Sequence, residues 1–199
     1  MEMLENKSIA LPTTSATSSV LLKILMSHLN VNYEVKPPEI GSMLTNSDAA
    51  LLIGDDALRV EATGIGCQVS GVDNVPRIRE TDDLFLYDMA ELWQRKTGFP
   101  IVFAVWAVRK DYARQYPEVI NDIAHSLRKS LDYGLANIDK IIDRVLTEFP
   151  GVDLRDYFRR LKYEFGAKER EGLLAYYDYA VRLGLCERCE ELATCAIKI

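Results

Sequence analysis

Every segment of strand character in this chain lies before residue 110, and everything after Pro117 reads as helix. KSIAL, NYEVKPP, AALLIG and IVFAVWAV are short apolar or extended runs, and helix signals separate them. Strands alternating with helices predict a parallel sheet, because parallel neighbours need a crossover between them. The expected α/β lobe covers residues 7–109. Within it, SVLLKILMSHL predicts a first crossover helix, EIGSMLTN a short second one, and YDMAELWQRKTG a helix closed by Gly98. Pro37 and Pro38 end the second run, since proline brings no ladder donor. The stretch from Ala62 to Asp83, with Gly64, Gly66, Gly71 and Pro76, predicts loop with a strand or two.

The region 110–185 has a different grammar. Apolar residues at 120, 123, 127, 131 and 135 form one helical stripe, and IDKIIDRVLTEF, LRDYFRRL and AKEREGLLAYYDYAVRLGL continue in that style. Tyr176, Tyr177 and Tyr179 read as packing residues. These helices have no sheet of their own to cover, so their apolar faces need another element. A tail, 186–199, follows.

Composition narrows the function. A chain of 199 residues with 48% hydrophobic side chains suffices for one large domain or two small lobes. The net charge of −6 speaks against general nucleic-acid binding, and the cluster Arg155, Arg159, Arg160 and Lys162 reads as a solvated helix face. No apolar run approaches the ~18 residues of a membrane helix. The opening MEMLENKSI is acidic and poor in apolar residues, unlike a signal peptide. The expectation is a cytoplasmic protein with no membrane partner. Cys186, Cys189 and Cys195 form a C-x2-C-x5-C cluster, but no fourth ligand stands nearby and Cys67 is distant. Free thiols rather than a metal site are therefore expected.

Two strand ends can carry chemistry, because open α/β sheets bind ligands at their carboxyl ends. After the first strand, six of the seven residues from Thr13 to Ser19 bear hydroxyls, whereas one suffices for an N-cap. A helix start there offers unpaired amides and the positive end of a dipole, and hydroxyls add donors without charge. That chemistry suits a carboxylate. After AALLIG, the turn GDD supplies Gly54, Asp55 and Asp56. Asp55 is either an acid–base group or a cap for the next helix. Neither phosphate-binding glycine pattern is present, which argues against nucleotides, and no G-x-S-x-G supports a serine hydrolase.

The segments SIALPTTSATSSVLLKIL, AALLIGDDAL, YDMAELWQRKTGFPIVFAVWAVR and YEFGAKEREGLLAYYDYAVRLGL together resemble the chorismate dehydratase family of the futalosine menaquinone pathway. The resemblance runs from Ser8 to Leu185. It implies a periplasmic-binding-protein type II fold closing over a small anion, and a hydro-lyase that converts chorismate to 3-[(1-carboxyvinyl)oxy]benzoate without an organic cofactor. It also implies substrate contacts at Thr17 and Ser18, with Thr14 and Ser15 beside them, and Gly54 and Asp55 on the opposite wall. A sister enzyme of the pathway, 1,4-dihydroxy-6-naphthoate synthase, is similar at the first turn. It carries a functional histidine where this chain has Gly54 and Asp55.

Two departures accompany the resemblance. The family places a segment with a tyrosine-leucine-asparagine motif ahead of the matched stretch, and its asparagine contributes to catalysis. Nothing in this sequence corresponds to that motif, so the catalytic residue is unassigned. The expectation is a fragment, or a lobe completed by a separate chain. The tail CERCEELATCAIKI also lies outside the family pattern. Small-anion binding without turnover and a scaffold role are the readings from other classes.

Overall fold

The computed structural model describes residues 2–63 and 85–188, with the side chains of 61–63 excepted. The chain divides into two compact units. Of the described residues, the first is drawn from 2–63, 85–103, 150–152 and 163–188, the second from Ala104–Phe149 and Asp153–Lys162.

The first unit is a mixed α/β structure. Its strands β1 (Ser8–Pro12), β2 (Asn32–Lys36) and β3 (Ala49–Ala50) form a parallel sheet in the order β2-β1-β3. Register pairs Ile9 with Tyr33 on one side and with Ala49 on the other. Helix α1 (Ala16–Leu25) makes the crossover from β1 to β2, and α2 (Ile40–Leu44) leads from β2 to β3. Helix α3 (Gly54–Thr63) follows β3, and α4 (Met89–Thr97) lies further along. The central strand is buried throughout Ile9–Pro12, as its run of apolar residues requires.

Helix α1 is buried on two sides. Leu22 and Met26 pack with Ile9, Leu11 and Leu51 of the sheet layer. Leu21, Ile24 and Leu25 pack with Trp93 of α4 and with Tyr176 and Ala180 of α9 (Ala167–Arg182). A helix apolar on most of its circumference belongs in the middle of such a stack. Trp93 meets Tyr176 and Tyr179 edge-on, with ring centroids 6.3 and 5.8 Å apart. Helix α9 belongs to the 110–185 helical region, for which the resemblance implies packing on the family's other lobe; here it packs in the first unit. Its residues Leu173, Tyr176 and Ala180, three and four apart, supply the apolar stripe.

Local signals explain the helix ends. Asp88 caps α4 by accepting from Ala90 N at 2.7 Å and Glu91 N at 3.2 Å. Gly98 closes it in the left-handed region at φ 77°, its amide donating to Gln94 O. At α9, the Glu169 carboxylate accepts from Gly166 N at 3.1 Å.

The segment 101–109 departs from expectation. IVFAVWAV forms no strand among the described residues, and Phe103, Val105 and Trp106 are exposed, Trp106 at 76%. A strand is defined by its ladder partner, and β-prone side chains without one do not make it. The expected five- or six-residue run AALLIG is likewise only Ala49–Ala50 by pairing, although Leu51 N still donates to Ala10 O at 2.9 Å. The glycine-rich stretch 64–83, Cys67, Cys189 and Cys195 lie outside the described residues.

The second unit is helical: α5 (Lys110–Gln115), α6 (Pro117–Ala136), α7 (Ile138–Val145) and α8 (Leu154–Arg160). Pro117 at the first position of α6 fits the fixed φ of proline. Ile142 and Leu154 are buried, whereas α6 buries none of its 20 residues.

Candidate functional site

The carboxyl ends of β1 and β3 border a cleft of about 270 Å³ in the first unit. Pro12 and Thr14 line it from β1 and its turn. Leu51, Ile53, Gly54 and Asp56 line it from β3 and the start of α3, and Pro38 and Met43 complete the wall. The lining combines apolar surface with one hydroxyl and one carboxylate, and the volume falls just below the ~300–1,000 Å³ of typical ligand pockets.

Backbone hydrogen bonds fix the hydroxyl-rich turn. Thr13 N donates to Lys36 O at 3.1 Å, which extends the β1–β2 ladder past Pro12. Ser15 is the N-cap of α1, and its Oγ accepts from Ser18 N at 3.2 Å. Ser19 Oγ donates to Ser15 O at 2.8 Å. Ala16 and Thr17 occupy the first two helical positions, whose amides the helix itself cannot satisfy. The turn therefore ends in a helix start with positive partial charge beside Thr14. Behind it, Thr17 O accepts from Tyr176 Oη at 3.1 Å, and Ser18 is buried.

The opposite wall begins where Gly54 takes φ 60°, a conformation costly for residues with a Cβ. Asp55 and Asp56 stand in the first turn of α3, where carboxylates favour the dipole. Arg59 lies one turn on, with Nη2 3.9 Å from Asp55 and Nη1 3.6 Å from Asp56. The guanidinium thus offsets two negative charges at the start of α3.

Of the residues expected from sequence, the structure brings Thr14 and Gly54 together in one cleft. Ser15, Thr17 and Ser18 stand in the first turn beside it, with Ser15 engaged as a cap. Asp56, rather than its neighbour Asp55, lines the cleft, and the Asp55 side chain is 67% exposed. Pro38, read from sequence only as a strand terminator, and Met43 of α2 also line the cleft, Pro38 standing two residues after the end of β2. Outside the cleft, Lys36 Nζ reaches Ser47 Oγ at 2.8 Å and Glu34 Oε2 at 3.1 Å, tying β2 to the α2–β3 connection. Among the described residues, no three His, Cys, Asp or Glu side chains gather as a metal site, and Cys186 is an exposed free thiol. No described helix is long and apolar enough to cross a membrane.

The cleft thus lies at the strand ends of a parallel α/β unit, the place where open α/β sheets generally bind ligands. The family described as menaquinone biosynthesis matches residues 1–182, which include every residue of the cleft, and the chain belongs to that family. It is 31% identical over 176 residues to a protein named chorismate dehydratase from Thermus thermophilus. That match takes in 85% of this chain and 61% of the relative, so the chain spans less than two thirds of the relative's length.

Proposed function

We propose that this chain forms part of a chorismate dehydratase, a hydro-lyase that turns chorismate into 3-[(1-carboxyvinyl)oxy]benzoate on the futalosine route to menaquinone. The observation that carries this reading is the similarity to the Thermus thermophilus chorismate dehydratase across 85% of the chain. A periplasmic-binding-protein type II fold and a cytoplasmic setting belong to the same reading.

Chorismate is a dianion. One carboxylate is held at the start of α1 by the Thr14 and Ser15 hydroxyls and the amides of Ala16 and Thr17, with Thr17 and Ser18 shaping that turn. Gly54, Asp55 and Asp56 bound the ligand on the other side. In the reaction the 4-hydroxyl leaves the ring, the neighbouring ring carbon loses a proton, and hydroxide and proton depart together as water. Aromatisation drives the elimination, so the site's task is to hold both carboxylates and align the breaking bonds.

The rest of the relative lies outside the matched 61%. A polypeptide equivalent to it, as further residues or as a second chain, completes the cleft in this reading. The exposed apolar residues of the second unit, Trp106, Val119 and Ile123, support a need for such cover.

The test is incubation of the purified chain with chorismate, alone and with a polypeptide equivalent to the rest of the relative. Turnover appears as an aromatic absorbance and as a product lighter by one water. Affinity without turnover in both arms supports a binding protein instead. Neither affinity nor turnover overturns the reading.

A further inference from the structure

Tyr176 ties α9 to the first turn of α1. It is 7% exposed, with its ring held edge-on by Trp93 at 6.3 Å and by Tyr177 at 5.8 Å. Its Oη donates to Thr17 O at 3.1 Å, across 159 residues of sequence. Burial, then the neighbouring Tyr177 and Cys186, push its pKa up to about 12, so it stays protonated and remains a donor.

The acceptor's position gives this bond its reach. Thr17 C=O belongs to the same peptide group as Ser18 N–H. A hydrogen bond accepted at the oxygen of a peptide polarises its N–H, a cooperative gain of roughly 10–30% per bond. Ser18 N–H donates to Ser15 Oγ at 3.2 Å. A hydroxyl that accepts one bond keeps its own O–H to donate. Tyr176 Oη, the Thr17–Ser18 peptide and Ser15 Oγ therefore form one directed chain of donors, which ends next to the cleft residue Thr14.

From this relay we infer that Tyr176 is a positioning residue, which orients the first turn of α1 and strengthens Ser15 as a donor to a ligand carboxylate. The role rests on the functional reading above for its ligand, but not for its geometry. Packing alone does not require it, since a phenylalanine ring would fill the same space against Trp93.

The experiment compares the parent with Tyr176→Phe, Ser15→Ala and the double variant. Amide hydrogen exchange at Ser18, measured without ligand, rises about three- to tenfold in Tyr176→Phe, while the C-terminal half of α1 is unchanged. In the chorismate assay KM rises about three- to tenfold with kcat within twofold, and the second substitution adds nothing on a Ser15→Ala background. Unchanged exchange at Ser18 overturns the inference whether or not chorismate is a substrate. Raised exchange with KM unchanged overturns the link to the ligand. A fall in thermal midpoint with exchange raised uniformly along α1 overturns it in favour of a structural role. A parent that neither binds nor converts chorismate, with Ser18 exchange raised in the variant, sinks the functional reading and leaves the orienting role of Tyr176 standing.

Discussion

Gly172 of α9 lies against Pro100 so closely that a Cβ on Gly172 would fall deep inside contact distance of the Pro100 carbonyl oxygen, with the carbonyl carbon at 3.3 Å. The obstacle is backbone, which cannot swing aside as a flexible side chain would. Gly172→Ala is therefore expected to destabilise the protein by about 1–3 kcal/mol, the usual cost of overpacking. Thermal unfolding followed by circular dichroism checks this; a variant as stable as the parent contradicts the close approach.

The same carbonyl oxygen accepts the Trp93 indole N–H at 3.3 Å. Trp93 has no exposed surface and joins α1, α4 and α9. Trp93→Phe removes the donor, leaves the Pro100 oxygen short of a partner and opens a small void. A loss of about 2–4 kcal/mol is expected, read from the midpoint of urea unfolding.

Ser15 separates capping from ligand chemistry. Ser15→Ala removes the cap acceptor and costs about 1 kcal/mol. Ser15→Asp keeps an acceptor and leaves stability within about 0.5 kcal/mol of the parent. It also adds negative charge where a substrate carboxylate is proposed to bind. The KM for chorismate then rises about tenfold or more, equivalent to ~1.4 kcal/mol. An aspartate variant with normal KM removes the carboxylate from this end of α1.

Asp48 carries an acid-dependent increment of stability. Its Oδ2 accepts from Ser8 N at 2.8 Å and Lys7 Nζ lies 3.2 Å from Oδ1, which together hold its pKa below the ordinary carboxylate value. With the folded pKa depressed, the contribution is fully present above the unfolded pKa of ~3.9 and disappears as pH falls through the folded value. Both partners are open to water, so the increment stays below about 1 kcal/mol. Asp48→Asn is expected to flatten the fall of the urea midpoint below pH ~4 relative to the parent.

Trp106 gives the opposite case. The residue is 76% exposed, so Trp106→Ser should change stability by less than about 0.5 kcal/mol. The same substitution should weaken association with the polypeptide proposed to complete the cleft, measured by titration with that polypeptide.

The legible parts of the sequence were those whose cause is local. Gly98 announced a left-handed helix end and Pro117 a helix start, because each depends on the residues beside it. With six hydroxyls in seven residues, the one that caps α1, Ser15, could not be singled out. The sheet of β1, β2 and β3 followed from its alternation with helices. IVFAVWAV did not follow, since its side chains favour a strand that only a partner can create. The resemblance pointed to Asp55, but Asp55 and Asp56 differ by one step of a helix, about 100° of rotation, and it is Asp56 that lines the cleft. The tyrosines of α9 read as packing, and Tyr176 does pack. Its bond to Thr17 was invisible, because nothing near either residue names the other.

The span between those two residues also governs how the first unit is made. Leu21, Ile24, Leu25 and Trp93 have emerged from the ribosome long before Tyr176 and Ala180 exist to cover them. Contacts of such sequence separation slow folding, because the loop must close before any of them is gained. During synthesis the early segment carries an uncovered apolar surface, the kind of surface on which chaperones act. The stack of sheet, α1 and α9 is therefore a structure that must wait for its last helix.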